Sequence, residues 1–194
     1  MIEGLIGVAI ATEVARVELN MQKIADGFYT KNISERVVKY RIETRGDIKG
    51  DKEEFRKVVA ETLRDEKGWA RAGVKFEEVE KGGELKMILA SPKKVAEASA
   101  GCSDKLSCTV KSDVLINDDR WMGGSDSYNQ LGVKVAEYRQ MVINHEVGHF
   151  LGHDHIAKCE IENGTAPIML QQSTGLRGCQ PGVWPMPNEL WVKR

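Results

Sequence analysis

The sequence has no run of 18 or more apolar residues, so it holds no segment able to span a bilayer as a helix. It also has no block of like charge. Its 28 Lys and Arg are interspersed with 29 Asp and Glu, for a net charge of −1. That balance lacks the basic footprint of a nucleic-acid-binding protein. No CxxC pair occurs among the four cysteines, which argues against a tetrathiolate zinc site. Internal repeats and low-complexity tracts are missing too, and 194 residues fit a single domain able to bury a core. No Lys or Arg precedes the short apolar run Leu5 to Ala11, whereas Glu3 does, which makes it a poor match to a secretory signal. It is either the remnant of a trimmed anchor or, as adopted here, the start of an amphipathic helix through Val14, Val17 and Met21. Residues 1–32, ending in Thr30, Lys31 and Asn32, are read as an N-terminal extension and residues 33–194 as the main domain.

What is present is ordinary in bulk: 41% hydrophobic and 29% charged residues, as in soluble globular proteins. The cysteines at 102, 108, 159 and 179 form an even set. Short separations favour Cys102–Cys108 and Cys159–Cys179 among three connectivities. Each bridge would add about 2–4 kcal/mol by restricting the unfolded chain, and bridges point to an exported protein.

From Arg36 to Thr44 the pattern alternates, with Val38, Tyr40 and Ile42 on one face of a strand. Asp51 is a candidate N-cap with Glu54 at capping-box spacing, and Phe55, Val58, Val59, Thr62 and Leu63 recur at helical intervals to about Asp65. Val74 to Val79 and Leu85 to Ala90 read as two strands joined by a tight turn at Gly82-Gly83, a hairpin signal. Ser91-Pro92 opens a short helix or turn. Cys108 to Val110 and Asp113 to Asn117 read as further short strands. A long helix from about Gln130 to Leu151 is apolar around most of its circumference, which places it inside the domain. Beyond Gly152 the chain is rich in Gly and Pro, and Trp184, Pro185, Pro187 and Trp191 are expected to pack under the domain. The fold class is α/β (α+β): a mixed sheet carrying helices, with an irregular C-terminal part.

Every histidine lies between positions 145 and 155, in the segment HEVGHFLGHDH. His145 and His149 are four apart, so a helix projects them from one face toward a shared metal. Glu146 sits beside that face, where a carboxylate can deprotonate a metal-bound water. Gly152 can end the helix with positive φ, letting the chain turn back and bring His155 to the metal. Three imidazoles leave a fourth position open, the mark of a catalytic zinc site. His153 continues the four-residue spacing and is the rival third ligand, though Gly152 argues that the helix has ended by then. Asp154 is expected to be a second carboxylate near the site or on the surface.

HExxHxxGxxH resembles the zinc signature of the metzincins. That resemblance implies a methionine turn below the metal, and Met169 in APIM (166–169) matches it as an apolar floor. The stretches LASP (89–92), INDDRW (116–121), YRQMVINHEVGHFLGH (138–153) and APIMLQQSTGLRGCQPGVWP (166–185) are similar to an exported bacterial zinc-peptidase-like domain family of unassigned function. The resemblance implies a twisted sheet of about five strands above a cleft, with the zinc helix at its floor. Two positions depart from other metzincins: Gln171 stands where some place a zinc-binding tyrosine, and Ile156 where several have a polar marker.

The expected activity is hydrolysis of a peptide or protein substrate with Zn2+ as cofactor and Glu146 as general base. Gln171 and Gln172 are the candidates for oxyanion or substrate contact, with a structural role as their alternative. An edge strand near Cys108 to Asn117 is a candidate site for strand addition by substrate. Two rivals stand beside this reading: a zinc-stabilised protein that binds peptide or cell-wall material without cutting it, and an amidase acting on a non-protein amide. The Asn-x-Ser/Thr triplets at Asn32 and Asn163 match a glycosylation acceptor by pattern alone.

Overall fold

In the computed structural model residues 36–159 and 164–192 are described, and they belong to a compact unit spanning residues 35–194. The N-terminal extension and the asparagines of both triplets, Asn32 and Asn163, lie outside the described residues. Alternating apolar residues build five strands: β1 (Arg36–Arg45), β2 (Val74–Glu78), β3 (Leu85–Ala90), β4 (Cys108–Val110) and β5 (Asp113–Asn117). The helices are α1 (Lys52–Arg64), α2 (Pro92–Ala96), α3 (Asp118–Gly123), α4 (Asp126–Asn129) and α5 (Val135–Leu151). The strands lie in the order β2-β1-β3-β5-β4, parallel except for β4, which runs antiparallel to β5 at one edge.

Because side chains alternate along a strand, one face of the sheet joins the main core, while the other is apolar only over β3, β5 and β4. Val38, Tyr40, Met87, Leu89, Val114 and Ile116 join the main core, with Phe55 and Val59 of α1 and Val142, Ile143 and Val147 of α5. Ile88, Ala90 and Leu115 point the other way and pack with Val95 of α2. The mixed α/β architecture and the strand number agree with the sequence. Asp51 caps α1 by accepting from the Glu54 N–H at 2.6 Å. The Glu54 carboxylate does not return the bond; it pairs with Arg139 of α5 at 2.7 Å.

The expected hairpin is a crossover instead. β2 pairs with the first half of β1 and β3 with its second half on the opposite side, both parallel to it. The connection passes β1 at Lys39 and Tyr40, whose carbonyls accept from Glu84 and Val79. Gly82 and Gly83 adopt positive φ, and a β-carbon at Gly83 would press on the Lys39 carbonyl, so Gly83 serves close passage and Gly82 only the left-handed backbone, rather than a hairpin turn. The long helix also starts later than expected, at Val135. Gly132 at φ 68° breaks the chain, and Lys134 is extended at the N-cap. Leu131, 55% exposed, belongs to the preceding turn.

The INDDRW stretch forms β5 and α3. Asn117 accepts from the Asp119 N–H to cap α3, and its amide donates to the carbonyls of Asp104 and Leu106. Buried Asp118 accepts from the backbone N–H groups of Lys49 and Gly50 at 2.7 and 3.0 Å, tying the loop before α1 to α3. Cys102–Cys108 and Cys159–Cys179 are disulfides, the pairing that short separations favoured. Two bridges point to folding in an oxidising, extracellular environment. Among the described residues no helix is long and apolar enough to cross a membrane.

At the start of β5, Asp113 receives Lys86 and Arg45, each at 2.7 Å. Burial alone would raise its carboxyl pKa; the two cations outweigh that and hold it below the usual range. A depressed folded value means stability present above the unfolded pKa of about 3.9 and lost as pH falls through the folded one. Asp113→Asn should therefore cost about 1 kcal/mol at pH 7, the scale of a partly exposed pair, and the gap to wild type should close as pH falls from the unfolded pKa of about 3.9 through the lower folded one. Urea unfolding across that range measures it. A gap that stays constant with pH would mean the pair contributes nothing electrostatic.

Candidate metal centre

Helix α5 is buried around most of its turn, so two of its histidines stay fixed in direction. His145 is 8% exposed and His149 half-buried, one helical turn apart on the same side. Gly152 ends the helix in the left-handed region at φ 102°, and the His153 N–H returns to the Gly148 carbonyl at 3.0 Å. The chain then doubles back, the Ile156 N–H donating to the Met169 carbonyl at 3.0 Å. That turn sets His155 against the helix. One ring nitrogen from each of His145, His149 and His155 lies within 4.8 Å of the others, so the triad can hold a metal ion.

His153 goes elsewhere. Its ring lies 3.9 Å from that of Trp191 and 4.9 Å from that of Trp69, and its Nε2 meets the Trp191 carbonyl at 2.8 Å. It fastens the C-terminal segment to the end of α5. Asp154 is exposed at the cleft.

The tautomers follow from the partners. His145 Nδ1 lies 2.7 Å from the Ile168 carbonyl, and His149 Nδ1 lies 2.8 Å from the His153 carbonyl. A carbonyl only accepts, so each Nδ1 carries the hydrogen and each Nε2 offers a lone pair. His149 Nε2 and His155 Nε2 are 3.0 Å apart. Tetrahedral zinc with bonds of about 2.0–2.1 Å would set its ligand nitrogens roughly 3.3 Å apart, close to that spacing. Burial, then the neighbouring His149, pushes the His145 pKa down to about 3. Burial also lowers His149 and His155 below the usual imidazole value. Neutral imidazoles are the form a metal binds.

Glu146, 5% exposed, follows His145 on the helix and lines the same cleft. Burial raises its carboxyl to about 7, against an opposing hydrogen bond from Thr109. The Thr109 hydroxyl, on edge strand β4, lies 2.8 Å from Glu146 Oε2 and 2.9 Å from the Glu146 carbonyl oxygen.

Below the triad, Met169 is fully buried, and a β-carbon at Gly148 would run into its sulfur and the Trp69 ring. The turn carrying Met169 is held by Glu189, a carboxylate 2% exposed. Glu189 accepts from the N–H groups of Ile168 and Met169, both at 2.9 Å, and of Met186 at 2.8 Å. The cleft has a volume of about 520 Å³ and is lined by the Cys102–Cys108 loop, Thr109, Lys111, the triad and the segment 171–174. Gln171 is partly exposed on its wall. Gln172 is a structural residue: its amide oxygen accepts from Tyr128 Oη and the Gly182 N–H, and its amide nitrogen donates to the carbonyls of Gly182 and Pro167. No part of that amide is left to meet a substrate.

Thr109 and Glu189 escaped the sequence reading. Neither stands at a helical or strand interval from the histidines, and only the fold brings them there.

Residues 15–181 match the model of a family described as "Protein of unknown function (DUF3152)". No curated protein matches the chain.

Proposed function

The chain belongs to the DUF3152 family, whose description assigns no activity, and we propose from the chemistry of the site that it is a zinc-dependent peptidase of the metzincin type. One observation carries this reading: three neutral imidazoles converge on the cleft that also holds the buried Glu146 carboxylate. The donor set suits zinc, since imidazole nitrogen is a preferred ligand and three protein ligands leave a position open. When bound, zinc supplies Lewis acidity that brings the pKa of a water ligand to about 7 and polarises the scissile carbonyl.

The protein supplies the rest. Glu146 takes the proton of the attacking water and delivers it to the leaving nitrogen. Its carboxyl, raised to about 7 by burial against the Thr109 hydrogen bond, suits a group that both accepts and releases a proton near neutral pH. The Ile168 and His153 carbonyls orient His145 and His149, and Met169 forms an apolar floor below Gly148. Gln171 lines the cleft, its amide makes no hydrogen bond among the described residues, and in this reading it would contact the substrate carbonyl. The two disulfides suit a protein that works outside the cell.

The test is metal content and cleavage on one preparation. We expect about one zinc per chain, hydrolysis of a mixed peptide library, loss of both on chelation, and recovery of both on adding zinc back. Cleavage confined to cell-wall peptide fragments would move the substrate to a non-protein amide. Stoichiometric zinc with neither substrate cut would replace the peptidase by a zinc-stabilised binding protein.

A further inference from the structure

The hydroxyl of Thr109 has one hydrogen and two acceptors within reach. Glu146 Oε2 lies at 2.8 Å and the Glu146 backbone carbonyl oxygen at 2.9 Å. The hydroxyl donates to Oε2 and so fixes which carboxyl oxygen faces β4, at a side chain only 5% exposed. Glu146 Oε1 accepts no hydrogen bond from the described residues, and Glu146 lines the cleft.

The threonine is itself held. Cys108 before it is bridged to Cys102, and Asn117 ties the carbonyls of Asp104 and Leu106 within that bridged loop. On its other side Lys111 turns the chain in the left-handed region at φ 55°. Thr109 pairs with Val114 of β5, whose side chain is in the core beneath α5. The hydroxyl is therefore presented to the helix by a strand fixed at both ends.

The geometry points to Thr109 as the positioning residue for the general base, a hydroxyl that holds Glu146 Oε2 against β4 and so leaves Oε1 toward the cleft. This rests on the peptidase reading for its use, though not for its geometry. In the reaction the proton passes from the attacking water to Glu146 and from Glu146 to the leaving nitrogen. Thr109 keeps its hydrogen bond to Oε2 and neither gains nor loses a proton. A valine at this position keeps the shape and removes the hydroxyl, whereas serine keeps it.

Two measurements test it, on wild type, Thr109→Val and Thr109→Ser. In peptide hydrolysis by the zinc-loaded protein, Thr109→Val should lower kcat about 10–100-fold with KM within about threefold, and Thr109→Ser should recover most of the rate. Equal rates for valine and serine, or a loss confined to KM, would overturn the proposal. The second measurement needs neither metal nor substrate. The infrared difference between metal-free wild type and Glu146→Gln isolates the Glu146 carboxyl band; Thr109→Val should shift that band and Thr109→Ser should leave it near the wild-type position. A band unmoved by Thr109→Val overturns the proposal even if the enzyme is active. Absence of cleavage by wild type would instead count against the peptidase reading, and the infrared comparison would still decide whether Thr109 holds the carboxyl.

Discussion

Glu146→Gln should lower kcat by about 10²–10⁴-fold while the protein still carries one zinc per chain. Glutamine matches glutamate in shape, and its amide oxygen can still accept from Thr109, which lies 2.8 Å from Oε2. The side chain should therefore stay in place while losing the ability to take a proton. Stability should hold or rise, because burial already opposes the ionised carboxyl and pushes its pKa to about 7. Thermal unfolding of the metal-free protein checks that, and metal analysis after dialysis checks the zinc. The combination is diagnostic: activity gone, metal and fold kept. A fall in kcat of less than about tenfold would remove Glu146 from the base role. Loss of zinc from the variant would place Glu146 among the metal's ligands and require a different base.

The site was legible to the extent that its contacts are helical. His145, Glu146 and His149 lie on one helix, so their spacing states their geometry. His155 needed one more inference, and Gly152 decided it: its φ of 102° ends α5 before His153 can reach the other two imidazoles. Buried His153, its ring tilted against that of Trp191, then takes a different part, locking Trp191 to the helix end. Thr109 reaches Glu146 across 37 residues, and Glu189 reaches Met169 across 20. No periodicity links such pairs, so neither partner was visible before the chain was folded.

The same division explains the fold. Local pattern found all five strands: β1 alternates because only one of its faces meets the main core, and β3 is apolar almost throughout because both of its faces meet a core. It could not say that β2 and β3 flank β1, because Gly82-Gly83 has the same local chemistry in a hairpin and in a crossover. Pairing across β1 settles the matter, and pairing is not local. The late start of α5 has a similar cause. Leu131 and Val133 continue an apolar pattern, but the left-handed Gly132 and extended Lys134 prevent the backbone from being helical there.

Glu189→Gln should have the largest effect on the scaffold, and it should reach the metal. The Glu189 carboxylate accepts three backbone N–H groups: Oε2 takes those of Ile168 and Met186, and Oε1 takes that of Met169. A glutamine can keep its oxygen toward only one side. Kept on Ile168 and Met186, it turns an amide NH2 against the Met169 N–H, leaving that donor buried and opposed. Hydrogen bonds to a charged group contribute about 1.5–3 kcal/mol each, and here one is lost while two become neutral, so a loss of roughly 2–4 kcal/mol is expected. The damage should propagate because the same turn does two further jobs. The Ile168 carbonyl orients His145 through Nδ1, and the Met169 carbonyl receives the Ile156 N–H that returns the chain past His155. A looser turn misplaces two of the three imidazoles, and zinc affinity should fall about 10–100-fold, the scale for groups that orient ligands. Glu84→Gln serves as the comparison, since Glu84 pairs with Arg36 on an exposed edge and its loss should cost less than about 1 kcal/mol. Zinc competition with a chromophoric chelator and urea unfolding of the metal-free protein separate the two effects. Weaker zinc binding beside wild-type stability would confine Glu189 to orienting the ligands. Unchanged zinc binding would show that the turn keeps its shape without the carboxylate, and the coupling between tail and metal site would fall.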